Sequence, residues 1–132
     1  MRARRRQGLT LVEIMVVVAI LLSLTTVLAV NVKAAWDRAK VDETRLTMGT
    51  LDMALQGWAA QHRGTYPSTA EGLEAARPYL RSGAEEIPLD AWGRPFVYRS
   101  PAGDAAYAIA SLGADGQEGG EDLDADLLIE GR

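Results

Sequence analysis

The sequence predicts an α+β fold, a long N-terminal helix followed by a small antiparallel sheet. Three observations carry this. An apolar run and a proline-free amphipathic stretch follow one another from Leu9 to about Arg63. Beyond Gly64 the chain breaks into short segments punctuated by proline and glycine. Two of those segments, 96–100 and 107–111, are rich in aromatic and β-branched residues and are joined by Pro101-Ala102-Gly103-Asp104, which is turn material.

The helix begins behind a basic leader. Residues 1–8 carry Arg2, Arg4, Arg5 and Arg6. Leu9 to Val32 is apolar apart from Thr10, Glu13, Ser23, Thr25, Thr26 and Asn31. A helix over 9–32 would be about 36 Å long, enough to cross a hydrocarbon core of about 30 Å. The arginines predict that the N-terminus stays cytoplasmic and the remainder is exported. Glu13 is the anomaly, because an ionised carboxylate at bilayer depth costs roughly 2–4 kcal/mol. An ordinary secretory signal has a shorter apolar region, about 7–15 residues, closed by an A-x-A site that is missing here.

The second half of the helix is expected in water. Residues 33–63 are rich in Ala, Leu, Arg, Lys, Asp, Glu, Met and Gln. Met48, Leu51, Leu55 and Trp58 recur at three- and four-residue spacing and mark one apolar stripe, continued upstream more narrowly by Val32, Ala35, Trp36 and Ala39. Arg38, Asp42, Glu43, Arg45 and Asp52 form the polar face. The stripe reads as helix-on-sheet packing, and Gly64 is the natural C-terminal stop. Tyr66 to Ala75 reads as a loop followed by a short second helix: Pro67 disfavours a continued first helix, and Ser68 or Thr69 is placed to cap the next.

Composition bounds the function. The 132 residues suit one small domain plus an appendage. With no cysteine there is no disulfide framework, thiolate metal site or cysteine nucleophile. The formal charge of −4 hides an asymmetry: without the four leader arginines, ten basic side chains face eighteen acidic ones, a net of −8. An acidic body argues against nucleic-acid binding. His62, the one histidine, sits beside Arg63 at the helix end with no serine, carboxylate or metal partner in sequence. No P-loop, dinucleotide motif or nucleophile elbow occurs, and Trp36, Trp58 and Trp92 read as packing residues, so no enzyme is expected.

Gly8-Leu9-Thr10-Leu11-Val12-Glu13 resembles the class III signal of type IV pilins and pseudopilins. The resemblance implies cleavage by prepilin peptidase between Gly8 and Leu9, N-methylation of Leu9, and retention of the apolar helix. Glu13 then becomes the fifth mature residue, placed to pair with the α-ammonium of a neighbouring subunit during assembly. Leu9 stands where phenylalanine or methionine is more usual. The proline common near the middle of such anchors is missing around Ala29-Val30-Asn31, so a less sharply bent helix is expected.

Downstream motifs narrow the resemblance. Gly64-Thr65-Tyr66-Pro67 with Glu71-Gly72-Leu73 is similar to the "GxYP…EGL" segment of the type II secretion major pseudopilins. Asp90-Ala91-Trp92-Gly93 resembles their "DPWG" turn and Ser111-Leu112-Gly113-Ala114-Asp115-Gly116 their "SLGPDG" turn, with Ala91 and Ala114 each in place of a proline. The implied fold is pilin-like, with a leader at 1–8, a membrane and assembly helix at 9–32, and a periplasmic domain at 33–132.

The C-terminal stretch is acidic. Asp115, Glu118, Glu121, Asp122, Asp124 and Asp126 are interleaved with Gly113, Gly116, Gly119 and Gly120. Carboxylates and carbonyls are the oxygen set that a hard cation such as calcium prefers, while a charge run more often means a solvated tail. An EF-hand is ruled out, since from Asp122 the required glycine falls on Leu127 and the twelfth position lies past Arg132. The resemblance implies a structural Ca2+ in the loop 111–127. Its ligands would be the Leu112 carbonyl and the carboxylates of Asp115, Asp124 and Asp126, with Gln117 and Asp122 as alternates.

The expected function is that of a structural subunit, polymerising from the bacterial inner membrane into a type II secretion pseudopilus. Its implied partners are itself, minor pseudopilins, prepilin peptidase and the inner-membrane secretion platform. Two alternatives stand beside it: a minor pseudopilin or other pilin-like filament subunit, and a non-assembling, membrane-anchored, calcium-binding periplasmic domain.

Overall fold

The computed structural model describes residues 10–81 and 83–132, with the side chains of residues 26–31 also outside the description. The chain divides into two compact units, with the boundary after Trp36.

The first element is a 51-residue helix, α1, spanning Leu11–Gln61. Its start is capped by Thr10, whose Oγ1 accepts the Glu13 N–H at 3.2 Å. The helix is uninterrupted across 29–31, where proline is missing. From Leu11 to Leu24 its large apolar side chains are exposed in the single chain. Among the described residues no helix is long and apolar enough to cross a membrane. The span expected at 9–32 is therefore described only in part, because Leu9 and the side chains of 26–31 lie outside the described set.

The second unit is the packed domain. On α1, Met48, Leu51, Ala54 and Leu55 are buried, as the sequence stripe predicts. Trp58 is only partly buried at the margin of that core, and Trp36 stands exposed rather than continuing the stripe. The helix ends in a tight reversal, with Arg63 and Gly64 both at positive φ and Gly64 N–H donating to the Ala59 carbonyl at 2.8 Å. His62 is exposed there, stacked on Trp58 with ring centroids 3.7 Å apart.

Ser68 does form a cap, but on a turn rather than on a helix. The Glu71 carboxylate accepts both Ser68 N–H and Ser68 Oγ at 2.8 Å, and these bonds hold the Glu71 carboxyl below its usual range. The short helix follows later, as a 3₁₀ segment at Leu73–Tyr79 entered through Gly72 at φ 64°.

The sheet is antiparallel, with strands β1 (Val97–Arg99), β2 (Tyr107–Ser111) and β3 (Leu127–Gly131) in that order. The first two match the sequence reading; β3 is an addition. Tyr98 pairs with Ile109 across β1 and β2, and Ile109 with Ile129 across β2 and β3. The inward face of β2 presents Tyr107, Ile109 and Ser111, all buried. Tyr107 is pinned at several points: its hydroxyl donates to the Asp52 carboxylate on α1, and its ring lies 4.4 Å from that of Tyr66. Burial, reinforced by the neighbouring carboxylate, pushes its phenol pKa up. Opposite it in the register stands Gly131, where a Cβ would fall 2.0 Å from the Tyr107 ring. Glycine ends β3 because the ring already fills that space.

Candidate functional site

Two regions carry the functional expectations. The first is the start of α1. Gly8 and Leu9, the expected processing pair, lie outside the described residues. Glu13 is exposed in the first turn of the helix, where a carboxylate meets the positive end of the helix dipole. Thr10 was not singled out from sequence. Its signal was nonetheless present, since Thr10-x-x-Glu13 is the capping-box spacing. Glu13 therefore sits on a well-started helix, flanked by apolar side chains that this chain leaves uncovered.

The second region is the joint between the Asp90 turn and the acidic loop. Asp90 is 5% exposed and organises its turn. Its Oδ1 accepts the N–H groups of Trp92 at 3.0 Å and Arg94 at 2.8 Å, while its Oδ2 accepts the Ser111 hydroxyl at 2.7 Å. The backbone closes the same turn, with Asp90 N–H to the Arg94 carbonyl and Gly93 N–H to the Asp90 carbonyl, both at 2.9 Å. Ala91 N–H donates to Thr44 Oγ1 on α1 at 3.2 Å. A proline at position 91 has no N–H and forgoes that bond.

Ser111 ends β2 and opens the loop. Gly116 N–H returns to the Leu112 carbonyl at 3.1 Å, and Ala114 N–H donates to the Leu123 carbonyl at 2.9 Å, joining the two arms of the loop. Here too alanine supplies a bond that proline lacks. Gly113 and Gly120 are demanded by the fold-back: a Cβ at either falls within 2.8 Å of the Asp124 backbone. Both have positive φ.

The residues expected to hold a cation are placed in this loop, and two of them, Asp115 and Asp126, are engaged by backbone amides. Asp115 Oδ1 accepts Gln117 N–H at 3.0 Å, and Asp126 Oδ2 accepts Gly119 N–H at 2.9 Å. Asp122 adopts a left-handed φ of 54°. Among the described residues no group of three or more His, Cys, Asp or Glu side chains comes together to hold a metal ion. In donor chemistry the loop fits a hard cation, since Leu112, Asp115, Asp124 and Asp126 offer only oxygen. In arrangement, one oxygen each of Asp115 and Asp126 accepts a backbone amide.

One contact was not foreseen from sequence. Arg94 leaves the Asp90 turn and places Nη1 at 2.9 Å from the Gly113 carbonyl and 2.7 Å from that of Ala114. The two turns were each visible as motifs; their apposition was not.

Comparison with known proteins is consistent with these features. The family described as type II secretion system (T2SS), protein G, matches residues 31–130, and the prokaryotic N-terminal methylation motif matches residues 3–29. The chain is 36% identical over 138 aligned residues to the type II secretion system core protein G of Pseudomonas aeruginosa, covering 96% of each. It is 34% identical to that of Vibrio cholerae, over 96% of this chain and 92% of the other. For the Escherichia coli protein of the same name the identity is 32%, over 92% of each chain.

Proposed function

The chain belongs to the type II secretion system protein G family, and from that membership we propose how it works as a structural subunit of the secretion pseudopilus. The observation that carries the reading is the coexistence of two features. The N-terminal methylation motif covers residues 3–29, and the helix it opens leaves its apolar side chains from Leu11 to Leu24 exposed around Glu13. Such a surface in a lone chain calls for cover, first by lipid and then by neighbouring helices. Residues 9–32 anchor the subunit in the inner membrane with the leader on the cytoplasmic side and the domain in the periplasm.

Prepilin peptidase removes residues 1–8 and leaves Leu9 with an N-methylated ammonium. Glu13 pairs with that ammonium on a neighbouring copy, which sets register as subunits leave the membrane. Minor pseudopilins and the inner-membrane platform are the remaining partners, and the role is mechanical rather than catalytic. Mass spectrometry of the membrane-extracted protein tests the first step. The expected mature chain begins with methylated Leu9, and an intact Met1 N-terminus would overturn the processing scheme and with it assembly.

The acidic loop takes a structural Ca2+ in this proposal, held by the Leu112 carbonyl and the carboxylates of Asp115, Asp124 and Asp126, with Gln117 and Asp122 in reserve. A bound cation would supply charge neutralisation among six carboxylates, drawing Asp115 and Asp126 from their amide partners. At a hundredfold excess over Kd, binding to the native state alone stabilises by about 2.7 kcal/mol. For a domain of this size that raises Tm by roughly 10–20 °C. Full-length protein in detergent should therefore melt distinctly higher in calcium than in chelator, and equal melting in the two would remove calcium from the scheme.

A further inference from the structure

We infer that Arg94 is the built-in cation of the C-terminal acidic loop, a positioning residue that keeps the loop folded when no metal ion is bound. Four observations converge on it. Nη1 of the guanidinium donates to two successive carbonyls, Gly113 at 2.9 Å and Ala114 at 2.7 Å. A positive group gripping adjacent carbonyl oxygens does for the backbone what a coordinated cation does, by charge-assisted bonds stronger than neutral ones.

The side chain is also aimed. Arg94 is tied at both backbone groups to Asp90, its N–H donating to the carboxylate at 2.8 Å and its carbonyl accepting Asp90 N–H at 2.9 Å. The guanidinium therefore projects from a turn that is itself fastened to β2 through Ser111.

The loop is shaped around it. A Cβ at Gly116 would fall 2.6 Å from Arg94 Nε and 2.9 Å from Cζ, so the glycine at φ 71° lets the guanidinium lie against the backbone. Finally, the clamp acts together with a second tie that this chain possesses. Ala114, whose carbonyl Arg94 holds, uses its N–H to reach Leu123 on the returning arm, where the resembled turn has proline and no donor. One residue thus links the Asp90 turn, the outgoing arm and the returning arm.

A second arginine contact of the loop differs. Arg99 meets Glu118 at 3.2 Å with both side chains largely exposed, a pair of the kind that contributes little. It serves as the control.

The inference concerns the metal-free loop and is independent of calcium, although its experiment also bears on the calcium proposal. Hydrogen exchange by mass spectrometry is followed on full-length protein in detergent with chelator, reading peptides from 112–126 and, as an internal reference, from the core helix around Leu51 and Leu55. Arg94→Ala should speed exchange in the loop by about tenfold or more while the reference peptides stay protected. Arg99→Ala should leave both unchanged. Parent-like loop exchange in Arg94→Ala over an intact core overturns the inference. If Arg94→Ala loosens the core as well, Arg94→Gln decides, being neutral with a similar stem. Faster loop exchange then supports the clamp, and parent-like exchange refutes it. Calcium added to Arg94→Ala separates the two readings. Restored protection supports calcium binding, whereas none, with the chelator result as expected, leaves Arg94 in place and removes calcium.

Discussion

Glu13→Ala is expected to leave cleavage and methylation at the N-terminus intact and to abolish filament assembly. The choice of alanine matters. Alanine is the best helix former, and the Thr10 cap uses the Glu13 N–H rather than its side chain, so α1 still starts where it does. Losing an acid from the first turn costs about 0.3–1 kcal/mol of dipole interaction. In the proposed pairing, losing the partner of the Leu9 ammonium costs about 3–5 kcal/mol, because a charge is left unpaired among apolar helices. The second effect dominates and applies at every subunit contact. A penalty of that size lowers the equilibrium for each addition by roughly two to four orders of magnitude, so chains do not grow. Sheared fractions from cells overproducing the variant should contain no filaments, while mass spectrometry of the membrane fraction shows methylated Leu9. Filaments at parental levels would remove the ion pair from the mechanism. Glu13→Gln should fail likewise, since an amide keeps the shape but not the charge.

What the sequence revealed of this molecule follows from where its signals are local. The buried stripe Met48, Leu51 and Leu55 is a periodicity, and β2 at Tyr107–Ser111 is a run of aromatic and aliphatic residues between turns; both stood as read. Strand β3 was missed because Leu127 to Gly131 follows six acids spread over 115–126, and charge drew it into a tail. Its alternation was present, with Leu127, Ile129 and Gly131 less exposed than Leu128 and Glu130. Trp36 was drawn into the stripe by spacing alone, yet it stands exposed at the edge of the first unit. The cap at Ser68 was read correctly as chemistry and misplaced as structure, since Gly72 at positive φ restarts the chain before the 3₁₀ helix. In the candidate site, the Asp90 and Ser111 turns were recognisable as separate motifs. Their joining by Asp90 and Arg94, and the tie of the Asp90 turn to α1 through Thr44, span sequence distances over which no local pattern speaks.

That joint is where a single substitution in the domain should cost most. Asp90→Ala is expected to destabilise the folded domain by about 4 kcal/mol, a large part of the 5–15 kcal/mol that domains possess. The carboxylate serves three donors: the N–H groups of Trp92 and Arg94, and the buried hydroxyl of Ser111. Alanine reaches none of them, and each stranded donor costs about 1–3 kcal/mol. The side chain is 5% exposed, so water does not readily replace the lost acceptor. For a domain of this size the loss corresponds to a Tm lowered by roughly 15–30 °C, read by near-ultraviolet circular dichroism of full-length protein in detergent. Asp90→Asn discriminates the cause. Its amide oxygen still accepts both backbone N–H groups, and its amide nitrogen turns towards Ser111 Oγ, which then accepts instead of donating. The asparagine variant should therefore lose less than half of what the alanine variant loses. Equal losses would show that the negative charge, rather than the count of satisfied donors, holds the turn, and an alanine variant melting with the parent would show that the backbone bonds at Asp90 and Gly93 suffice. The same variant reaches beyond stability. With Asp90 gone, Arg94 loses the carboxylate that aims its guanidinium, so exchange in 112–126 should rise even below the melting transition.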